Sequence, residues 1–129
     1  MIEQSVNAED ATTARQLLTE GFAAERKLDR WTAIEAYQKA FELDPTNANI
    51  CFRLAYNLDL VGQEEEALDL YEQCCSMGAA SLNALVNLAI MYEDLSELTK
   101  AERCLLLVLD ADPNHELTSV GFSFATSRA

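Results

Sequence analysis

An alanine recurs every 34 residues in this chain of 129 residues, at Ala33, Ala67 and Ala101. The same offset superposes Tyr37 on Tyr71. Self-similarity at a fixed period of this length indicates a supersecondary unit that is repeated and stacked on its neighbours. The sequence therefore predicts three successive units, over residues 14–47, 48–81 and 82–115.

Each predicted unit contains two amphipathic segments, with apolar residues near positions i, i+3, i+4 and i+7. Short polar breaks separate the two segments, namely KLDR, VGQE and DLSE, and breaks with turn-forming residues separate the units, namely LDPTN, SMGAA and ADPNH. One helical hairpin cannot cover both of its apolar faces, so hairpins of this kind stack. We predict an all-α fold, a right-handed superhelical solenoid of three helix-turn-helix hairpins with an irregular C-terminal segment.

The run AIEAYQKAFELDPTN, residues 33–47, resembles the second helix and the following turn of a tetratricopeptide repeat. That family prefers small residues, an aromatic residue and a proline at fixed positions, which the first unit supplies as Gly21, Ala33, Tyr37, Ala40 and Pro45. The second unit departs from the pattern, because Cys74 and Ala79 replace the small residue and the proline. More loosely, the units are similar to the repeat part of bacterial proteins that carry a domain like the C-terminal domain of RNA polymerase alpha.

The resemblance implies a protein-interaction scaffold in which the first helix of each unit lines a concave groove for an extended peptide segment of a partner. The groove residues that it implies are Arg15, Leu18, Phe22, Arg26, Asn49, Phe52, Arg53, Tyr56, Asn83, Asn87 and Ile90. Under the alternative interpretation, the rings of Phe22, Phe52 and Tyr56 only cover one another.

The chemistry of these residues suggests the kind of peptide that would bind. Arg53 can bind a carboxylate with two parallel hydrogen bonds, and asparagine amides can pair with a peptide backbone. The three units hold six acids each, against five, one and two bases. We therefore expect a ligand with an acidic residue toward the first unit and a basic or neutral end toward the third.

Repeats of this family that bind chaperone tails hold the terminal carboxylate with lysine and asparagine on the first unit, asparagine on the second, and lysine and arginine on the third. The positions of this chain that correspond to them are Leu18, Phe22, Arg53, Asn83 and Asn87. None carries the residue that the clamp needs, so a clamp for chaperone tails is not predicted.

The sequence contains few residues or motifs that are typical of catalytic, metal or cofactor sites. The pair in YEQCCSMG is read as packing, with Cys74 and Cys51 in the core, since the chain lacks the CxxC spacing of metal and redox sites. His115 is read as a solvated loop residue, and neither GxGxxG nor GxxxxGK[ST] occurs. We predict neither an enzyme nor a metal or cofactor site.

The net charge and the length of the apolar runs limit the kinds of partner and the cellular compartment that we expect. A net charge of −13 disfavours nucleic acid and anionic membranes as partners. No secretory signal and no apolar run of about 20 residues is visible, so we expect a cytoplasmic protein.

The ends of the chain offer a second interpretation of its function. Residues 1–13 are predicted to be an extension, and residues 116–129 an atypical cap or tail. The run CLLLVL, residues 104–109, is apolar almost all round and needs a cover. Either the tail folds back over this run, or another chain covers it, or the sequence is a fragment of a longer chain. If another chain covers it, the alternative function is structural self-association, as a homodimer through the third repeat.

Overall fold

The computed structural model describes residues 7–77 and 82–114, which form α-helices joined by short turns and contain no strand. The predictions for Ala79, His115 and the two ends of the chain, residues 1–6 and 116–129, lie outside the described residues. The helices are α1 (Ala8–Arg26), α2 (Arg30–Leu43), α3 (Ala48–Leu60), α4 (Glu64–Ser76), α5 (Leu82–Asp94) and α6 (Leu98–Ala111).

These helices pack as hairpins, α1 with α2, α3 with α4 and α5 with α6, which confirms the predicted all-α hairpin architecture. The chain divides into two compact units, residues 1–79 with the first four helices and residues 80–129 with the last two. From here on, first unit and second unit mean these two parts of the structure, and the three predicted 34-residue units are called repeats. The repeat boundaries predicted at 47/48 and 81/82 stay a proposal.

The core of the first unit is built on the small and aromatic residues that recur with the repeat. Ala33, Tyr37, Ala67 and Tyr71 are completely buried. A Cβ built on Gly21 would lie 2.6 Å from Cζ of Tyr37, so only glycine lets α1 approach the tyrosine ring on α2 so closely. In this unit α2 also packs against α3, which joins the two hairpins.

The second unit is a single hairpin with its own apolar centre. Ala89, Ala101 and Val108 are completely buried where α5 and α6 meet. Large apolar side chains at the surface of this hairpin include Ile90, Leu95, Leu98, Leu106 and Leu107, each between 42% and 59% exposed.

A single type of turn ends the first helix of each hairpin. Leu28, Gly62 and Ser96 have positive φ angles of 60°, 90° and 62°, and 34 residues separate each from the next. The N–H of the following residue reaches back to a carbonyl of the helix, as from Asp29 to Ala24 O at 2.9 Å. The corresponding bonds run from Gln63 to Leu58 O and from Glu97 to Tyr92 O, both at 2.8 Å. This is the Schellman motif, which satisfies the last carbonyls of a helix.

Three helices of the first unit start at a side-chain cap, the first of them α1 at Asn7. The carboxylate of Asp29 accepts from Thr32 N at 3.3 Å at the start of α2. The amide oxygen of Asn47 accepts from Asn49 N and Ile50 N at 3.0 and 3.2 Å at the start of α3. These bonds satisfy backbone donors that a helix leaves free at its first turn.

Across residues 7–77 and 82–114, none of the helices combines the length and the apolar character that crossing a bilayer requires.

A candidate peptide-binding surface on helices α1 and α3

A guanidinium surrounded by aromatic rings lies where α1 and α3 face each other. Cζ of Arg53 is 5.4 Å from the ring centroid of Phe22, 5.9 Å from that of Phe52 and 5.4 Å from that of Tyr56. Phe22 belongs to α1 and the other three residues to α3, and all four side chains are half-buried. We call these four residues the Arg53 surface. Its rings attract the guanidinium through their electron-rich faces.

Glu25 on α1 neutralises the charge of Arg53. Nη2 of Arg53 donates a hydrogen bond to Oε1 of Glu25 in an ion pair whose side chains are 27% and 11% exposed. Nδ2 of Asn57 donates to the other carboxylate oxygen of Glu25. Because both oxygens are engaged and Glu25 is nearly buried, the pair ties α1 to α3 more firmly than an exposed pair would.

Asn57 is completely buried, and its amide is fully used. Besides donating to Glu25, Nδ2 donates to the backbone carbonyl of Arg53 at 2.9 Å. Oδ1 accepts from Nη1 of Arg30 on α2 at 3.2 Å. A buried amide needs such partners, and here they connect three helices.

The charges of Arg53 and Glu25 also affect the pKa of Tyr37 on α2. Burial raises the pKa of Tyr37 to about 12, with the Arg53 cation opposing the rise and the Glu25 carboxylate adding to it. Burial works to lower the pKa of Arg53, but its pairing with Glu25 prevails and the pKa is raised. The phenol oxygen of Tyr37 and Nε of Arg53 are buried and have no hydrogen-bond partner in the part of the chain that the structure describes.

The aromatic residues contact one another and also keep part of their surface in solvent. Phe52 and Tyr56 stack at 6.0 Å with an angle of 23° between their planes. Phe52 also contacts Tyr71 at 5.9 Å, and Phe22 meets Tyr37 edge-on at 6.1 Å. The ring contacts agree with the interpretation that these rings cover one another. The part of their surface that stays in solvent agrees with the interpretation that they line a binding groove.

The remaining predicted groove residues are distributed over both units. In the first unit Arg15, Arg26 and Asn49 are exposed and Leu18 is half-buried. In the second unit the three predicted residues all lie on α5, where Asn83 and Ile90 are exposed and Asn87 is half-buried. The structure brings Phe22, Phe52, Arg53 and Tyr56 together, and the binding role of the full set stays a prediction.

Sequence reasoning missed Glu25 and Asn57. Asn57 has a detectable signal, since it lies one turn after Arg53 and between Ala55 and Leu58, which are buried positions of α3. A polar amide at such a position needs a partner. Glu25 gives no comparable signal, because its partner Arg53 lies 28 residues further along the chain.

The structure places the cysteines where the packing interpretation expects them. Cys51 and Cys74 are completely buried between α3 and α4, and their thiols donate to Leu70 O at 3.2 Å and Ala48 O at 3.5 Å. Contact with Cys74 and burial raise the pKa of Cys51 far above its usual value, so its thiol stays protonated. Within residues 7–77 and 82–114, no group of three or more potential metal ligands is assembled.

Comparison with known proteins identifies two of the predicted repeats as members of a known family. The family model for the tetratricopeptide repeat matches residues 48–77 and 82–115. The small glutamine-rich tetratricopeptide repeat-containing protein 2 of Mycosarcoma maydis is 28% identical over 115 residues, which cover 89% of this chain and 33% of that protein. The chain thus spans a third of the length of this curated relative.

Solved structures similar to this chain have the same fold. The TPR domain of Arabidopsis OM64 has a TM-score of 0.81 at 15% identity, covering 93% of this chain and 99% of that domain. The Sgt2 TPR domain from Aspergillus fumigatus has a TM-score of 0.77 at 19% identity, covering 99% and 83%. The first TPR of Spaghetti (RPAP3), bound to the HSP90 peptide SRMEEVD, has a TM-score of 0.78 at 19% identity, covering 89% and 95%. These likenesses confirm the predicted fold class, while the looser similarity to proteins with a domain like that of RNA polymerase alpha stays a prediction.

Proposed function

Because this chain belongs to the tetratricopeptide repeat family, we propose that it is a protein-interaction scaffold whose Arg53 surface binds an extended, acidic segment of a partner protein. The observation that carries the proposal is the half-buried guanidinium of Arg53 among three half-buried rings. Aromatic and arginine side chains of this kind dominate the energetics of protein interfaces. The proposal includes no catalytic step.

Arg53 retains donors for a partner although Glu25 is bound to it. A guanidinium carries five N–H donors, and Glu25 accepts from Nη2. Nε is buried, so a carboxylate of the partner would approach the donors that remain on the two Nη atoms, while its aliphatic neighbours cover Phe22 and Tyr56. Exposed Arg26 and Asn49 supply further charge and amide groups on the same two helices.

An acidic ligand also has a precedent among the similar structures. Both TPR domains of Spaghetti (RPAP3) are bound to the HSP90 peptide SRMEEVD, which is rich in glutamate. The positions of a clamp for chaperone tails hold Leu18 and Phe22 in this chain. We therefore propose recognition of an acidic side chain within a segment, rather than of a free C-terminal carboxylate.

Peptide binding to Arg53→Gln tests this function. Glutamine keeps a donor for Glu25 but removes the positive charge, and Lys39→Gln removes one charge from an exposed site on α2 as the matched control. Peptides selected by the intact chain from an array of acidic and neutral heptapeptides are titrated by fluorescence anisotropy. We expect Arg53→Gln to weaken acidic peptides about tenfold, the usual scale for one charge-assisted hydrogen bond. Equal affinity of Arg53→Gln and the intact chain for every selected peptide would contradict the proposal.

Self-association through the third repeat, which lies in the second unit of the structure, is the other candidate function. It is favoured by Leu98, Leu106 and Leu107, which are about half exposed on the single helix α6. Light scattering over a range of concentrations tests it, with Leu106→Glu as the disrupting variant and Thr99→Glu as the control at an exposed polar site. This candidate predicts a dimer that only Leu106→Glu dissociates, and a monomer at every concentration would rule it out.

A further inference from the structure

A cleft on the first unit lies apart from the Arg53 surface and shares no residue with it. It has a volume of about 470 Å³, which is ample for a long side chain and part of its backbone. Its lining includes Trp31 and Glu35 of α2, Leu58 of α3, and Gln63 and Glu66 at the start of α4. We call it the Trp31 cleft.

The cleft combines an apolar base with an exposed indole. Ile34 and Leu58 in its lining are 4% and 2% exposed, so they belong to the core and offer only a small apolar surface at the base. Trp31 is 58% exposed, although large aromatic side chains are usually buried for most of their area. An indole left this open presents a flat apolar face that also attracts cations.

The charged residues in the lining of the cleft are both acids. Glu35 and Glu66 line it and are both exposed. The second predicted repeat, residues 48–81, holds six acids and a single base, which is Arg53, whereas the first, residues 14–47, holds six acids and five bases, none of them in the lining. Arg53 is bound to Glu25 and is not part of the cleft lining.

We propose that the Trp31 cleft binds a lysine or arginine side chain of a basic segment of a partner protein. The methylene groups of such a side chain can lie along the indole of Trp31 and the apolar base, while its charged head stays at the rim. There it meets the carboxylates of Glu35 and Glu66. The Trp31 cleft thus selects a segment of opposite charge to the one proposed for the Arg53 surface, and the two sites act independently.

The fluorescence of Trp31 reports binding directly, because it is the only tryptophan in the chain. The probe is a pentapeptide, acetylated and amidated at its ends, with a central lysine between two leucines. The matched peptide carries norleucine at the centre, which keeps the apolar length but lacks the charge. We expect a saturable change in emission with the lysine peptide alone, and weaker binding as salt concentration rises.

Variants at the rim separate specific binding from general attraction to an acidic chain. We expect Glu35→Gln and Glu66→Gln each to weaken the lysine peptide about threefold, the usual scale for an exposed ion pair. Glu42→Gln removes an exposed acid from α2 outside the cleft and should leave the affinity unchanged. Calorimetry with Trp31→Ala, an exposed position with little risk for folding, should show binding at least about threefold weaker.

Two results would overturn the proposal. One is an equal response to the lysine and norleucine peptides, and the other is unchanged affinity in both rim variants and in Trp31→Ala. Binding of acidic peptides to the intact chain is measured separately by fluorescence anisotropy, so failure at the Trp31 cleft and failure at the Arg53 surface are distinguished.

Discussion

Gly21 of α1 packs against the ring of Tyr37 of α2. A Cβ on Gly21 would lie 2.6 Å from Cζ and 2.7 Å from Cδ1 of Tyr37, whose ring is completely buried and cannot swing away. Overpacking of this kind costs about 1–3 kcal/mol. We expect Gly21→Ala to lower the free energy of unfolding in urea by about that amount, even though alanine is intrinsically favoured over glycine in helices by about 1 kcal/mol.

A double-mutant cycle identifies the tyrosine ring as the cause. In a Tyr37→Leu background the ring atoms that clash with the new methyl group are gone, so Gly21→Ala should cost less there. The same cost in both backgrounds would mean that the strain of Gly21→Ala comes from another contact.

The buried phenol of Tyr37 makes stability depend on alkaline pH. A tyrosine in an unfolded chain titrates near pH 10, whereas the pKa of Tyr37 is raised to about 12. Between these values the unfolded chain releases the proton and the folded chain keeps it, so stability falls as pH rises. A shift of this size corresponds to about 2–3 kcal/mol.

Tyr37→Phe isolates this effect, because all other titrating groups, including Cys51, remain in both proteins. We expect urea unfolding to show that the intact chain loses about 2–3 kcal/mol more than Tyr37→Phe between pH 10 and 12. Below pH 10 the difference in stability between the two proteins should not change with pH. Parallel curves up to pH 12 would show that the phenol ionises as easily in the folded chain as in the unfolded one.

The residues of the Arg53 surface were predictable to different degrees. The repeat places Phe22, Arg53 and Tyr56 on first helices by register alone. Register does not determine how a long flexible side chain is oriented, and so the pairing of Arg53 with Glu25 could not be predicted. The same holds for the cleft beside Trp31, which depends on how the first turn of α4 meets α2.

At the scale of the helix, the three Schellman turns differ in how well their residues suit a left-handed backbone. Gly62 adopts φ 90° without strain, whereas Leu28 adopts φ 60° at a cost of about 1–2 kcal/mol. Leu28 is 74% exposed, so its side chain contributes little burial in return. We expect Leu28→Gly to raise the free energy of unfolding by about 1 kcal/mol.

Gly62→Ala is the converse variant. A Cβ at Gly62 would have nothing within 4 Å, so the change tests the backbone alone. We expect it to destabilise the chain by about 1 kcal/mol. If Leu28→Gly lowers stability instead, the leucine side chain makes a stabilising contribution that its exposure does not reveal.

The helices themselves were predictable because periodicity and punctuation agree. The breaks KLDR, VGQE and DLSE coincide with the turns that end α1, α3 and α5. The left-handed turns at Leu28 and Ser96 were not predicted, since neither residue type favours that conformation. The spacing of 34 residues from Gly62 in each direction is the signal that could have revealed them.

For the whole molecule, excess negative charge is the dominant long-range term. The net charge of −13 is spread over a chain of 129 residues, and each predicted repeat has more acids than bases. Like charges repel most strongly when the chain is compact, so the charge favours unfolding. The repulsion is screened within about 30 Å at 0.01 M salt but within about 3 Å at 1 M.

Sodium chloride should therefore stabilise this protein. We expect the melting temperature to rise by about 2–6 °C between about 0.02 and 0.5 M salt, as for a gain of about 0.5–1 kcal/mol in a domain of this size. The acids Glu64, Glu65 and Glu66, which are consecutive and exposed at the start of α4, provide the comparison. A variant with glutamine at all three positions carries three fewer negative charges, so its melting temperature should rise less steeply with salt. If both proteins respond to salt identically, repulsion at the start of α4 does not contribute to the salt dependence. A melting temperature that falls as salt is added would show instead that attractive ion pairs such as Arg53–Glu25 outweigh the repulsion.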